Sequence, residues 1–370
     1  FLKMKIKYFL TISFSLSFFY ILLFGFLVKD KNDIGEGFGQ SSTKIEKNVC
    51  PIGITNLEES TNKDLEIKAN NCQKEIFRFL KNSSKQNMLF LSNSQLGAIN
   101  QRIGNDKSYV SIISEETNKK ELPIYISGLW IENINLMEIS SVYSDFAKCG
   151  IKIDTLVFPA FLDDTRNSEI RETLKNYDKF ICPEKYENKK ENDKLIIDNG
   201  NLIKITKKIK NNFLVFNYLQ NLNDNFRGKL YLLRNTIFNI KPTSVRKISR
   251  VRLNQNLKAL EDILNQRKLE SSETILYIPP LLYSQRSEII PYQKEEYSNF
   301  KLSVKNKCLA KDKCFFYNLE ESVPNEYWGS KKSITLRDGK NSNLDFMHFN
   351  GFGHKIFSKV LSKIIFEDKS

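Results

Sequence analysis

Short apolar runs alternate along this chain with segments whose apolar residues recur every three or four positions. "NMLFLS" (87–92), "LPIYIS" (122–127) and "TLVFPAFL" (155–162) carry no charge, the pattern of strands buried on both faces. Pro159 weakens the third as a strand or puts it at a bulge. "ETILYIPPLL" (273–282) and "CFFYNLE" (314–320) add two more strands. Between them lie predicted helices. "QLGAINQRI" (95–103) follows the turn "SNSQ", and from Asn133 the residues Ile139, Val142, Tyr143 and Phe146 fall on one helical face. "NSEIRETLKNY" (167–177), "VRLNQNLKALEDILNQRK" (251–268) and "SVKNKCLA" (303–310) are also predicted helical. The last helix, from about 352, buries Ile356, Phe357, Val360, Leu361, Ile364 and Ile365, with Lys355, Lys359 and Lys363 on its other face. Strands alternating with helices predict an α/β fold: a three-layer α/β/α sandwich with a mainly parallel, flavodoxin-like sheet. Function in such sheets gathers at the carboxyl ends of the strands. That points to Ser92–Gln95, Asn133–Asn135, Asp163–Arg166, the stretch from Pro279, and the loop before the last helix.

One apolar run has no place in such a sandwich. Residues 8–28 carry no charge and follow Lys3, Lys5 and Lys7. About 20 apolar residues cross a bilayer as a helix, and the flanking lysines favour a cytoplasmic N-terminus. Leu27-Val28-Lys29-Asp30 offers no small-residue cleavage site. The expectation is a cytoplasmic tail (1–7), a single transmembrane anchor (8–28), a polar extracytoplasmic linker (29–70) and a folded domain (71–370). The alternative is a domain secreted after cleavage. Within the domain the charge run "EKYENKKENDK" (184–194) opens a Lys/Asn-rich stretch, read as a mostly helical insertion at about 183–235.

Composition narrows this picture. The hydrophobic content of 41% supports a real core, and the net charge is +14. The lysines are scattered, with no compact basic cluster interleaved with aromatics, so nucleic acid is not an expected partner. An exported chain with six cysteines can form disulfides. Cys308 and Cys314 can close a small loop and Cys50 and Cys72 can tie down the linker, but spacing leaves the connectivity open, free buried thiols included. No C-x-x-C spacing or Cys/His set suggests a metal site.

Both histidines of the chain, His348 and His354, lie in "SNLDFMHFNGFGHKIF" (342–357). Asp345 stands three residues before His348 and can hold one ring nitrogen, leaving the other free to take a proton. His354 falls in the first turn of the last helix and reads as structural. Ser94 follows the first buried strand at a helix start, where free N–H groups favour an oxyanion. Ser, Asn and Gln are equally ordinary cap and turn residues. A serine nucleophile needs a base, and His348 is the candidate.

The order Ser94…Asp345-x-x-His348 resembles the SGNH/GDSL hydrolase superfamily. "FLSNSQL" stands where that family has its Gly-Asp-Ser block, and "DFMHFNGFGH" matches its final block, including the spacing of Asn350 and Gly353. The resemblance spans about 85–366 apart from the insertion. "SNSQLGAIN", "ENINLMEI", "FPAFLDDTRNSEIR" and "YIPPLL" look more narrowly like membrane-anchored DltD-like and PatB-like envelope proteins, which accompany membrane-bound O-acyltransferases. The chain departs from the pattern in places. Ser92 and Asn93 replace the first block's Gly and Asp, the second-block glycine is replaced near Asn133, and Asp163 stands where the third block has an oxyanion-binding asparagine. Asn133 or Arg166 is the candidate for the missing donor, or for binding an acidic substrate group. Alternatively Asp163, Asp164, Arg166 and Arg171 form a surface ion-pair cluster. No G-x-S-x-G elbow surrounds Ser94, which argues against the α/β-hydrolase fold.

The resemblance implies a membrane-anchored, extracytoplasmic serine esterase or O-acyltransferase acting on acyl esters of envelope glycans, with Ser94, His348 and Asp345 catalytic. It needs neither metal nor organic cofactor, and a membrane-bound O-acyltransferase is an expected partner. The competing expectations are a catalytically weak domain that binds a glycan or an acyltransferase, and a lipid or thioester hydrolase.

Overall fold

The run from Asn87 to Ser92 becomes the middle of the sheet. In the computed structural model, which describes residues 41–43, 45–52, 62–187, 230, 232–240, 245–282, 292–331 and 343–367, β3 (Gln86–Ser92) lies between β5 (Ile124–Trp130) and β6 (Thr155–Pro159). β2 (Val49–Pro51) pairs outside β5, and β7 (Glu273–Ile278) and β8 (Cys314–Asn318) extend the other side. All five pairings are parallel. Met88 to Ser92 are all buried, as a strand covered on both faces requires. Pro159 ends β6 rather than interrupting it: it pairs with Tyr277, and the next N–H, Ala160, donates to the Tyr277 carbonyl at 2.8 Å.

Helices cover both faces. On one lie α1 (Asn62–Asn82), α4 (Leu136–Lys148), α7 (Arg250–Leu269) and α8 (Lys294–Leu309). On the other lie α3 (Tyr109–Lys119) and α9 (Gly351–Phe366). Three further helices are single turns: α2 (Ser94–Gly97), α5 (Asp178–Ile181) and α6 (Glu184–Glu187). The chain steps from β3 to β5 in one direction and from β5 back past β3 to β6 in the other. Right-handed crossovers therefore send α3 and α4 to opposite faces. The carboxyl end of β3 sits at this reversal, where an open α/β sheet leaves a crevice. α4 opens on a reciprocal cap, in which the Asn135 side chain takes the Glu138 N–H and the Glu138 carboxylate takes the Asn135 N–H, worth about 1 kcal/mol. α9 buries Phe357, Leu361, Ile364 and Ile365 and exposes its three predicted lysines, with Ile356 and Val360 half-buried.

Three sequence expectations change. The stretch assigned to the linker, 29–70, contributes β1 (Ser41–Thr43), β2 and the start of α1. Its polar composition hides a three-residue edge strand, which needs only Val49 and Cys50 buried, and a helix whose Ala69, Cys72, Ile76, Phe77 and Leu80 share one face. The helix expected over 95–103 stops at Gly97. β4 (Ala98–Asn100) follows and pairs antiparallel with β1. A Cβ at Gly97 would sit 2.1 Å from the Trp130 indole nitrogen, so the chain turns where the ring presses on its backbone. The helix expected over 167–177 does not form: 167–171 are irregular, and a 3₁₀ turn at Glu172–Leu174 is followed by a turn at 175–177. Its polar groups bond outward instead: Arg171 N–H and guanidinium to Glu138, and the Glu169 carbonyl to Asn135.

The cysteines pair as Cys50–Cys72, Cys149–Cys182 and Cys308–Cys314. The first fastens β2 to α1. The expected tail and anchor (1–28) and most of the expected insertion (183–235) lie outside the described residues. Among the described residues no helix is long and apolar enough to cross a membrane.

Candidate active site

Asp345 and His348 do not lie in a loop. They belong to β10 (Asn343–Phe349), which pairs antiparallel with β9 (Trp328–Lys331) beside the main sheet. In a regular strand, residues three apart point to opposite faces. The register of β10 shifts between Leu344 and Phe349, and this irregularity brings the two side chains together. Asp345 Oδ1 accepts the N–H groups of Met347 (3.0 Å) and His348 (3.3 Å), which fold the strand around its own carboxylate. Oδ2 accepts from Asn100 Nδ2 at 3.2 Å and lies 2.8 Å from His348 Nδ1.

Those contacts fix the imidazole's tautomer. A carboxylate only accepts, so Nδ1 carries the proton toward Asp345 and Nε2 presents a lone pair. Nε2 lies 2.9 Å from Ser94 Oγ. The chain Ser94–His348–Asp345 is therefore continuous, with each link at hydrogen-bond distance. Ser94 is half-buried and the His348 side chain is 16% exposed, so the pair meets the surface without being immersed in water.

Ser94 owes its place to the end of β3. Asn93, buried, caps α2: its Oδ1 takes the Gln95 N–H at 3.0 Å and its carbonyl the Leu96 N–H at 3.1 Å. Its Nδ2 donates to Asp164 Oδ2 at 3.1 Å, tying the nucleophile's turn to the loop after β6. Asp164 is buried, and desolvation pushes its carboxyl well above the usual range. Gln95 makes a second tie: its Nε2 donates to the carbonyls of Met347 (2.8 Å) and Pro280 (2.9 Å), joining the nucleophile's turn to the histidine strand and to the end of β7.

The remaining candidates are placed as follows. Asn133 is exposed in the turn between β5 and α4, at φ +51°, a left-handed conformation that asparagine tolerates better than most residues. Arg166 is exposed after β6, with Nη1 3.4 Å from Asp163 Oδ1. The structure couples Ser94 through Asn93 to Asp164 rather than to either of them. Asp163, which stands where the resembled family has an oxyanion-binding asparagine, is an ion-pair partner of both Arg166 and Arg246. Arg171 is bidentate on the buried Glu138 at 2.6 and 2.7 Å, apart from this cluster. His354 is fully buried. Its Nδ1 accepts the Tyr109 N–H at 3.2 Å, and its ring packs on Tyr109 and Phe349. Burial lowers its pKa to about 3, so it stays neutral.

Sequence reasoning missed Asn100 and Arg246, and it pointed to the stretch Ser92–Gln95 without giving Gln95 a role. Asn100 is fully buried in β4, and its amide also donates to the Ser330 carbonyl at 3.0 Å, setting the carboxylate against β9. No local pattern marks Asn100 or Arg246, because each meets its partner, Asp345 or Asp163, across a long stretch of chain.

No family model matches the sequence, and no curated protein matches it. Among solved structures the chain is similar to Axe2, an acetylxylan esterase from Geobacillus stearothermophilus (11% identity, 78% of this chain and 97% of that one, TM-score 0.40). It is also similar to LAE5, an alpha/beta hydrolase enzyme from the metagenome of Lake Arreo, Spain (9% identity, 76% and 97%, TM-score 0.37). A third is a protein of the G-D-S-L family from Desulfitobacterium hafniense (8% identity, 76% and 99%, TM-score 0.31). At these scores the likenesses carry no functional weight, and what can be said of function rests on the geometry of Ser94, His348 and Asp345.

Proposed function

We propose that this chain is an SGNH-type serine ester hydrolase or O-acyltransferase. The carrying observation is the chain from Ser94 Oγ to His348 Nε2 at 2.9 Å and from His348 Nδ1 to Asp345 at 2.8 Å. Ser94 Oγ attacks the ester carbonyl while Nε2 takes its proton. Asp345, held by Asn100 and two backbone N–H groups, stabilises the imidazolium. The imidazolium returns the proton to the leaving alkoxide as the C–O bond breaks, leaving an acyl-serine. Water or a sugar hydroxyl then attacks with the same assistance, and Ser94 is regenerated.

The finer reading is a membrane-anchored enzyme of the DltD-like and PatB-like kind, facing the extracytoplasmic side and acting on envelope glycans with a membrane-bound O-acyltransferase. Its supports are the uncharged run 8–28 behind three lysines and the three disulfides, which persist in oxidising compartments. A weakly catalytic binding domain is the second reading. It is favoured by Asp163, a carboxylate where the resembled family has an oxyanion-binding amide. Acetyl release from acetylated xylan and from 4-nitrophenyl acetate, compared between wild type and Ser94→Ala, separates the two. The hydrolase reading expects Ser94-dependent release, and equal release by both proteins contradicts it.

A further inference from the structure

Three guanidiniums gather after β6. Arg246 pairs with Asp163 Oδ2, Arg166 lies against Oδ1, and Arg252 Nη1 donates to the Arg166 carbonyl at 2.9 Å. Among the described residues the carboxylate paired with them is Asp163, whose side chain is 12% exposed. Its neighbour Asp164 is buried toward Asn93, where desolvation disfavours its charge, and Glu138 is neutralised by Arg171. Among the described residues the cluster keeps more guanidiniums than paired carboxylates.

Its position is the informative part. The Arg246 guanidinium lies over the Phe346 ring, 5.0 Å from the centroid, and Phe346 directly follows Asp345. On the other side, Asp163 adjoins Asp164, whose partner Asn93 directly precedes Ser94. The cluster thus touches both the strand that carries the base and the loop tied to the nucleophile. An aromatic face beneath Arg246 and a carboxylate at its Nη1 hold the planar fork in one orientation. A guanidinium has five N–H donors, and the Arg246 side chain is 24% exposed, so it is not sealed from solvent.

We propose that Arg246, fixed by Asp163 and Phe346 and assisted by Arg166, forms a subsite for an anionic group, carboxylate or phosphate, on the polymer that carries the ester. The preferred polymer is then a polyanion rather than a neutral xylan-like chain. This inference rests on the ester-chemistry reading for its role but not for its test, because binding is read without turnover.

The experiment is titration calorimetry of the full chain in detergent, at low salt, with three probes: oligogalacturonate, phosphate-bearing oligomannose and neutral xylo-oligosaccharide. One anionic probe is expected to bind at least about tenfold more tightly than the neutral one, the scale of one charge-assisted hydrogen bond. The better of the two identifies the source of the anion. Arg246→Ala is expected to lower that affinity about tenfold, and Arg246→Lys, which keeps charge but not the fork, about threefold. Arg166→Ala, at an exposed position, gives a smaller loss and stands in if Arg246→Ala does not fold. Equal affinity of wild type for all three probes, or anion affinity unchanged in folded Arg246→Ala, overturns the inference. Separately, equal 4-nitrophenyl acetate turnover by wild type and Ser94→Ala would reject the hydrolase reading and leave the binding result standing.

Discussion

The end of β10 and the start of α9 each hold one histidine, six residues apart, and give them opposite lives. His348 is partly exposed between a carboxylate and a hydroxyl, and both ring nitrogens are engaged by groups that can exchange or stabilise a proton. His354 is sealed between Tyr109 and Phe349, accepting one backbone N–H, with its pKa lowered to about 3 by burial. Proximity in sequence therefore says little about shared function. A strand irregularity turns one ring toward β3, and a tight helix start turns the other into the core. Gly353 makes that start possible, since a Cβ there would come 2.7 Å from the Phe349 side chain.

Substitutions at the two positions should fail in different ways. The largest effect is expected from His348→Ala: ester turnover falls by about 10⁴-fold or more, with the unfolding midpoint little changed, as steady-state kinetics and thermal melts on one preparation will read. Asp345→Asn should cost about 10³-fold, because an amide cannot hold the Nδ1–H tautomer as a carboxylate does. A drop of less than tenfold would mean that Asp345 only shapes the strand.

His354→Ala should instead destabilise the fold by about 3 kcal/mol through a buried cavity and an orphaned Tyr109 N–H, measured by denaturant unfolding. Its pH signature follows from the lowered pKa. The unfolded chain, near 6.5, binds a proton that the folded chain refuses until about pH 3. Stability from this site is full above the unfolded value and declines as pH falls, by about 2 kcal/mol between pH 6.5 and 5. His354→Gln, which does not titrate, should flatten that slope. The smallest effect is expected from Asn100→Ala. Losing one donor to Asp345 should lower turnover about tenfold while turnover remains dependent on Ser94.

Much of this was visible in the sequence where a pattern is local. The uncharged runs became β3, β5 and β6, the run from Glu273 became β7, and the last helix buries most of the stripe its spacing predicts. Ser94 was legible because it follows the first buried strand, and His348 because the chain has almost no other base. The rest depends on distant partners. β2 is too short to show a period and is defined by β5 across the sheet. Residues 167–177 look helical until Glu138 and Asn135 take their polar groups. Asn100 meets Asp345 across 245 residues and Arg246 meets Asp163 across 83, so neither carries a local mark.

The central claim is that Ser94 is an activated nucleophile and that His348, not His354, activates it. Fluorophosphonate labelling of the detergent-solubilised full chain, with the adduct located by peptide mass spectrometry, tests this most directly. The expected result is one adduct on Ser94, absent in Ser94→Ala, at least about 100-fold slower to form in His348→Ala, and retained in the folded fraction of His354→Gln. No adduct on Ser94 in a folded sample, or equal labelling rates in wild type and His348→Ala, would contradict it.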